Sequence, residues 1–391
     1  MAMLRPVGSR VPRPDEADPH QPLPWQDDYQ TWCMGSGTEA LSAAVSLATL
    51  CAGRQQGVTP EVILPAYGCP DLVAAVVAQG AIPVLVDLLP DRPVMDIDRL
   101  TEALSEATVA VIAAGFLGVP ERLSALAGVC KSHGIWLIED SAQCFPPDCA
   151  REPMADCAVL SFGRGKPINL MGGGALLVRK DHGDFATRVF ADLPEVTVTL
   201  DGHWKLKRYI FNFLLSRLGY GLLRRVPFLG LGSTVYKPLD SVRRIQLPGG
   251  LLAAGIRTAS LRPSVAKQYD QALAFLVSRG WVLFMRSHAQ QNGSIVPVTL
   301  RYGLLAPDQG TRDTAASMLN SRGIGANAFY EKALPDVAGV GEALGTISGS
   351  YPNAVFFADR LVTLPSHEDV AYGDVTLVAS VLDKLTQVPE E

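Results

Sequence analysis

Between Thr38 and Asp140, short apolar runs alternate with longer helical ones, and no other feature of the sequence restricts the fold so strongly. "EVILP", "IPVLVDL", "TVAVIAAGFLG" and "IWLIED" read as strands, each a short apolar run bounded by turn residues. Between them, "GSGTEALSAAVSLATLCAG", "DLVAAVVAQG" and "RLSALAGVCKSHG" read as helices that stop at Gly53, Gly80 and Gly134. In the first of these, Thr38 is the expected cap, and Leu41, Ala44, Val45 and Ala48 form the apolar face. Strands separated by helices imply an α/β fold with a mostly parallel sheet covered on both faces. Ligands of such sheets bind beyond the carboxyl ends of the strands.

Length and composition set the outer limits. A chain of 391 residues exceeds one ordinary core, so one large and one smaller domain are expected. With 48% hydrophobic and 19% charged residues it can bury a large interior. A formal charge of -5 argues against nucleic acid as a partner. The cysteines, seven in number, lack metal-ligand spacing and suit a reducing cytoplasm better than a disulfide framework. The six histidines form no zinc-type pattern either, so no metal site is expected. No signal peptide is visible, and no apolar run reaches spanning length.

Three features meet at the strand-end rim. "GSGTEAL" places backbone N–H groups, with Gly37 and Thr38, at a helix N-terminus, a natural anion site that alone is weak. "IEDSAQ" ends a buried strand at Asp140, either as a polar strand end or as the acid that a pyridinium nitrogen needs. "DCAVLSFGRGKPINLMGGGALLV" sets Lys166 in the turn between two apolar strands, with Ser161 close by. Alone, Lys166 reads as a solvated turn lysine; if desolvated, it must be paired, neutral or covalently bound. Together the three supply a phosphate cradle, an acid for a ring nitrogen and an amine for a Schiff base, the parts of a pyridoxal phosphate site.

"SGTEAL", "VILPAYGCPDLVAAVVAQGAIPVLVD", "IEDSAQ", "ADCAVLSFGRGK" and "GGGALLV", in this order and spacing, resemble the DegT/DnrJ/StrS family of sugar aminotransferases. The late "ADRLVTLPSHEDV" resembles the same family's small-domain segment. The resemblance implies the fold of type I pyridoxal-phosphate transferases, with pyridoxal 5'-phosphate as cofactor and pyridoxamine phosphate as its aminated form. Residues 1–30, rich in Pro, Asp and Arg, read by composition as an extended N-terminal arm; a large cofactor domain over 31–255 and a small C-terminal domain over 256–391 follow it. By this resemblance, Lys166 forms the Schiff base and shuttles the proton, and Asp140 pairs with the pyridinium nitrogen. Gln143 holds the phenolic oxygen, while Gly37, Thr38 and Ser161 hold the phosphate. Gly173 and Gly174 allow a close backbone approach. A homodimer with active sites at the interface is implied too, Gln246 replacing a family asparagine that reaches the partner subunit's phosphate. The sequence departs from the family at Cys69, where a ring-stacking aromatic is usual, so Tyr67 is the expected stacking face. It departs again at "MGGG", which lacks the usual glutamate.

The function implied is transfer of an amino group from a glutamate-type donor to a keto group on a nucleotide-linked sugar. A dehydratase or lyase of the same fold, and a cofactor-binding scaffold or regulator without turnover, are the alternatives. Family dehydratases replace the lysine that is present here. About 30 extra residues, on the scale of a helical hairpin, precede the helix with Ala253 and Ala254. They form an insertion over about 203–240 whose apolar and basic part, 203–231, has two readings: a dimer or domain contact, or a peripheral helix on an anionic membrane.

Overall fold

A computed structural model of the chain describes residues 2–52, 57–225, 234–286, 299–344 and 349–386. Its strands are β1 (Tyr29–Met34), β2 (Glu61–Pro65), β3 (Ile82–Val86), β4 (Thr108–Ala114), β5 (Trp136–Asp140), β6 (Cys157–Ser161), β7 (Gly174–Arg179), β8 (Glu195–Thr197) and β9 (Arg244–Gln246). All nine join one sheet in the order β3-β2-β4-β5-β6-β7-β1-β9-β8. Strands β2 to β6 pair in parallel, as the alternation of elements requires, and β7 turns antiparallel beside β6. The expected turn at Lys166 is therefore the β6–β7 connection. Strands β1, β8 and β9 were not legible as strands in the sequence.

Side chains on each strand divide by parity between the two faces, as the pleat demands. Ala110 and Ile112 of β4 join the core that holds α1 (Gly37–Cys51) and α2 (Asp71–Val77). Val111 and Ala113 face the opposite way, onto α3 (Ile97–Ala103) and α4 (Leu123–His133). On β6, Cys157 and Val159 share the first core, while Ala158 and Leu160 meet Leu251, Ile256 and Ala259. Each fully buried Leu, Val or Ile side chain contributes about 1.5–3 kcal/mol to this packing. Gly134 ends α4 in the left-handed conformation, as the sequence predicts. Gly53, the expected stop of α1, lies outside the described residues.

Four further helices follow β7: α5 (Gly183–Val189), α6 (Gly202–Leu214), α7 (Arg217–Leu223) and α8 (Leu251–Ser260). Beyond them, α9 (Ala266–Ala272), α10 (Gln309–Ser321), α11 (Val340–Leu344), α12 (Pro352–Arg360) and α13 (Tyr372–Thr386) surround an antiparallel pair, β10 (Arg301–Leu305) and β11 (Leu361–Pro365). The strand expected at "IVPVTLRY" is found at its C-terminal end and beyond, and residues 295–298 lie outside the described residues.

The first part of the arm, residues 3–12, is mostly buried rather than free, while most of residues 13–24 are exposed or half-buried. Leu4 bridges Ile324, Arg5 pairs with Glu368 and Asp369, and the Ser9 hydroxyl donates to the Lys166 carbonyl at 3.1 Å. Helix α6 clamps the arm from outside: Asn212 accepts from the Val11 N–H and donates to its carbonyl, and Arg208 donates to Pro12. Arg217 bonds both the Asp374 carboxylate and the Asp369 carbonyl. Of the two readings for 203–231, these bonds favour the domain contact, because Arg217 is held inside the molecule instead of facing headgroups. Phe228 and Leu229 of that segment lie outside the described residues. No described helix is long and apolar enough to cross a membrane.

His367 gives the arm a pH dependence. The ring is buried, with Nε2 donating to the Arg5 carbonyl at 2.9 Å and Nδ1 accepting from the Asp369 N–H. Burial, aided by the Arg5 guanidinium, pushes its pKa from 6.5 down to about 3. A depressed folded pKa adds stability above pH 6.5 that is lost as pH falls toward 3. At pH 5 the loss from this ring is about 2 kcal/mol, at 1.36 kcal/mol per unit. Urea denaturation at pH 5 and pH 8 reads this difference, and His367→Gln is expected to remove it.

Candidate active site

The strand-end rim is built by close approach of three chain segments. Helix α1 starts where β6 ends, and a Cβ on Gly37 would stand 2.6 Å from the Ser161 Cβ. Only glycine fits there. A Cβ on Gly174 would stand 2.6 Å from the Ser36 carbonyl oxygen, which explains that glycine, while Gly172 and Gly173 before it hold positive φ. The cap of α1 is Ser36, not Thr38: Ser36 is extended and its hydroxyl accepts from the Glu39 N–H. Thr38 is the second residue of the helix, and its hydroxyl donates to the Asp71 carboxylate at 3.0 Å.

Lys166 lines a cavity of about 230 Å³ together with Gln143, Asp71, Cys69, Arg301, Phe329, Tyr330 and, from the arm, Val7. Its loop is pinned by the Ser9 hydroxyl and by Arg262, which donates to the Pro167 carbonyl at 2.8 Å. Asp140 ends β5 and accepts from the Ala142 N–H at 2.9 Å. Burial raises its pKa, and that backbone N–H together with the Lys166 ammonium works against the rise. Gln143 accepts from the Leu117 N–H at 3.2 Å, and its amide lies 3.5 Å from the Tyr330 hydroxyl.

The structure thus brings Lys166, Asp140 and Gln143 to one place, with Gly37, Thr38 and Ser161 beside them. Tyr67 is different. Its ring packs edge-on against Phe116 and Phe357, and its hydroxyl donates to the Phe329 and Tyr330 carbonyls. Nearly all of it is buried, so it presents no face to the cavity, and the stacking role expected of it is not borne by its position. The aromatic faces at the cavity are Phe329 and Tyr330, stacked on each other at 4.0 Å. Gln246 stands exposed on β9, bonded to Thr197 at 3.3 Å, outside this cavity of its own chain. Sequence reasoning missed Arg301, Tyr330 and Asp71; an arginine inside the apolar run "VTLRYGLL" was the one available signal.

These residues fit a pyridoxal phosphate group. A buried acid lies within electrostatic reach of the lysine, and the α1–β6 approach leaves a cradle that a single Cβ would fill. One side chain opposes it: Asp71 puts a carboxylate on the hydroxyl that would hold the phosphate. Asp71→Asn is therefore expected to tighten binding of the phosphorylated cofactor by about tenfold, or 1.4 kcal/mol. The same change should leave unphosphorylated pyridoxal unaffected, a contrast that equilibrium titration reads.

The DegT/DnrJ/EryC1/StrS aminotransferase family model matches residues 30–197. A curated relative, dTDP-4-dehydro-2,3,6-trideoxy-D-glucose 4-aminotransferase of Saccharopolyspora spinosa, is 25% identical over 392 aligned residues, covering 92% of this chain and 86% of that protein. Among solved structures, Helicobacter pylori PseC, an aminotransferase involved in pseudoaminic acid biosynthesis, superposes with a TM-score of 0.67 at 14% identity, covering 98% of this chain and 99% of that one. Bacillus subtilis NtdA with bound cofactor PMP superposes with a TM-score of 0.66 at 18% identity, covering 93% and 74%. At these identities the structural likeness establishes the type I transferase fold.

Proposed function

We propose, for a chain that belongs to the DegT/DnrJ/EryC1/StrS aminotransferase family by its residues 30–197, that it transfers an amino group from a glutamate-type donor to a keto group on a nucleotide-linked sugar. The observation that carries this reading is a lysine in a cavity beside a buried aspartate and Gln143, at the carboxyl ends of parallel strands. Bound there, pyridoxal phosphate supplies an electron sink for the carbon that loses its proton. Lys166 Nζ takes and returns that proton, and its pinned loop keeps the amine over the cavity. Asp140 holds a proton on the ring nitrogen, and its burial strengthens that pairing by excluding water. Gln143 orients the ring through its amide, and Gly37, Thr38 and Ser161 hold the phosphate.

In the same reading the protein works as a homodimer, with exposed Gln246 and the neighbouring Arg243 and Arg244 completing the partner's phosphate site. The described part of the insertion, residues 203–225, serves as a contact between the arm and the small domain. A second reading, a cofactor-binding regulator without turnover, draws on the Thr38–Asp71 hydrogen bond, which sets a negative charge against the phosphate. Mass spectrometry of products decides between them, using a panel of keto-sugar nucleotides with glutamate or glutamine. Amination of one panel member is the expected result. A protein that holds the cofactor yet converts no member and deaminates no donor contradicts the enzyme reading.

A further inference from the structure

Helix α6 grips the N-terminal arm with one side only. Trp204, Arg208 and Asn212 recur there at helical spacing: Trp204 packs on the core around Leu251 and Ile256, and the other two bond the Val11 and Pro12 backbone. The other side carries Leu206, Tyr209, Ile210 and Phe213, spaced i, i+3, i+4 and i+7. At about 3.6 residues per turn these four fall within an arc of about 100°, a continuous stripe along the helix. They are 58, 71, 48 and 48% exposed. On α7, Leu218 and Leu222 stand exposed in the same way, one turn apart. A stripe of this width is what a helix normally turns to a core, and here the arm contact leaves it uncovered.

The charges beside the stripe are all of one sign. From 202 to 239 the sequence holds no Asp or Glu and seven Lys and Arg, in a chain whose formal charge is -5. Lys205 and Lys207 flank the stripe on either side, roughly 40–60° beyond its edges. Both are exposed, as are Arg224 and Arg225 just past α7, and none of the four meets a carboxylate among the described residues. That pattern discriminates between occupants. A second copy, docked by a two-fold contact, would set these cations against themselves with no acid between. A bilayer with anionic headgroups satisfies both parts of the pattern: the stripe enters the headgroup–acyl boundary, and the lysine stems lie along it with their ammonium groups at the phosphates. Tyr209, with an apolar ring and a polar tip, matches that depth. With 13 residues α6 is too short to cross and lies in the plane of the surface. Arg217, paired with Asp374, takes no part.

We propose that the outer face of α6 and α7 docks on a membrane surface that carries anionic phospholipid, while the inner face of α6 holds the arm. The domain contact and the membrane contact thus use opposite sides of one insertion.

The test uses the full-length, cofactor-loaded protein and two vesicle preparations, phosphatidylcholine alone and phosphatidylcholine mixed with phosphatidylglycerol, read by co-sedimentation. Binding to the mixed vesicles and not to the neutral ones is expected. Lys205→Glu combined with Lys207→Glu is expected to weaken it by about 30-fold or more, from roughly fivefold for each cation lost at an anionic surface. Leu206→Ser combined with Phe213→Ser is expected to abolish it. All four side chains are exposed and none lines the Lys166 cavity, so melting temperature and amino transfer should stay at parental values in both variants. No binding to the mixed vesicles, equal binding to both preparations, or binding that survives both double variants overturns the proposal. Loss of self-association in the serine variant, with no vesicle binding by the parent, overturns it too and assigns the face to a contact between copies. Each of these failures leaves the aminotransferase reading standing.

Discussion

Lys166→Ala protein is expected to lose amino transfer by about 10²–10⁴-fold or more, the range for removing a positioned acid–base group. The upper end is expected, because in the proposed reading the same amine both attaches the cofactor and moves the proton. The fold should survive the change. Lys166 sits in the β6–β7 turn and its backbone, not its amine, makes the contacts that pin the loop: its carbonyl accepts from Ser9 and its N–H donates to Gly163. An unchanged melting temperature together with lost turnover separates chemistry from folding. Turnover within tenfold of the parent would place the proton carrier elsewhere.

A second large loss is expected from Asp140→Asn. The carboxylate is buried and accepts one backbone N–H, so the amide fits the same space. What changes is charge: the amide does not hold a proton on the ring nitrogen. Removing one such preorganised charge costs about 10²–10³-fold in turnover. A variant with parental turnover would remove Asp140 from the site.

The central strands were legible because β2, β4, β5 and β6 are largely buried on both faces and read as continuous apolar runs. Asp140 and Lys166 were legible for a related reason, since charged residues at or soon after the ends of such runs stand at the strand-end rim, whereas Gln143 came from the family resemblance alone. The short β8 and β9, three residues each, carry no pattern long enough to detect. Tyr67 misled because its neighbourhood in sequence is the rim, whereas its ring is claimed by Phe116 and Phe357, the latter 290 positions away. Arg301 and Tyr330 reach the cavity from a part of the chain whose packing no local pattern encodes. Asp71 reads in sequence as an ordinary acidic residue at a helix start, and only the fold sets it opposite Thr38. The arm's composition suggested an extended segment, and nothing in it showed that Arg5 is buried against Glu368 and Asp369.

The most direct test of the account is to load the full-length protein with pyridoxal phosphate, reduce it with borohydride and map the modified peptide by mass spectrometry. One stoichiometric pyridoxyl group is expected, carried on the peptide that contains Lys166, and none at that mass in Lys166→Ala protein. Reduction that places the group on any other lysine, or that leaves Lys166 unmodified at saturating cofactor, would contradict it.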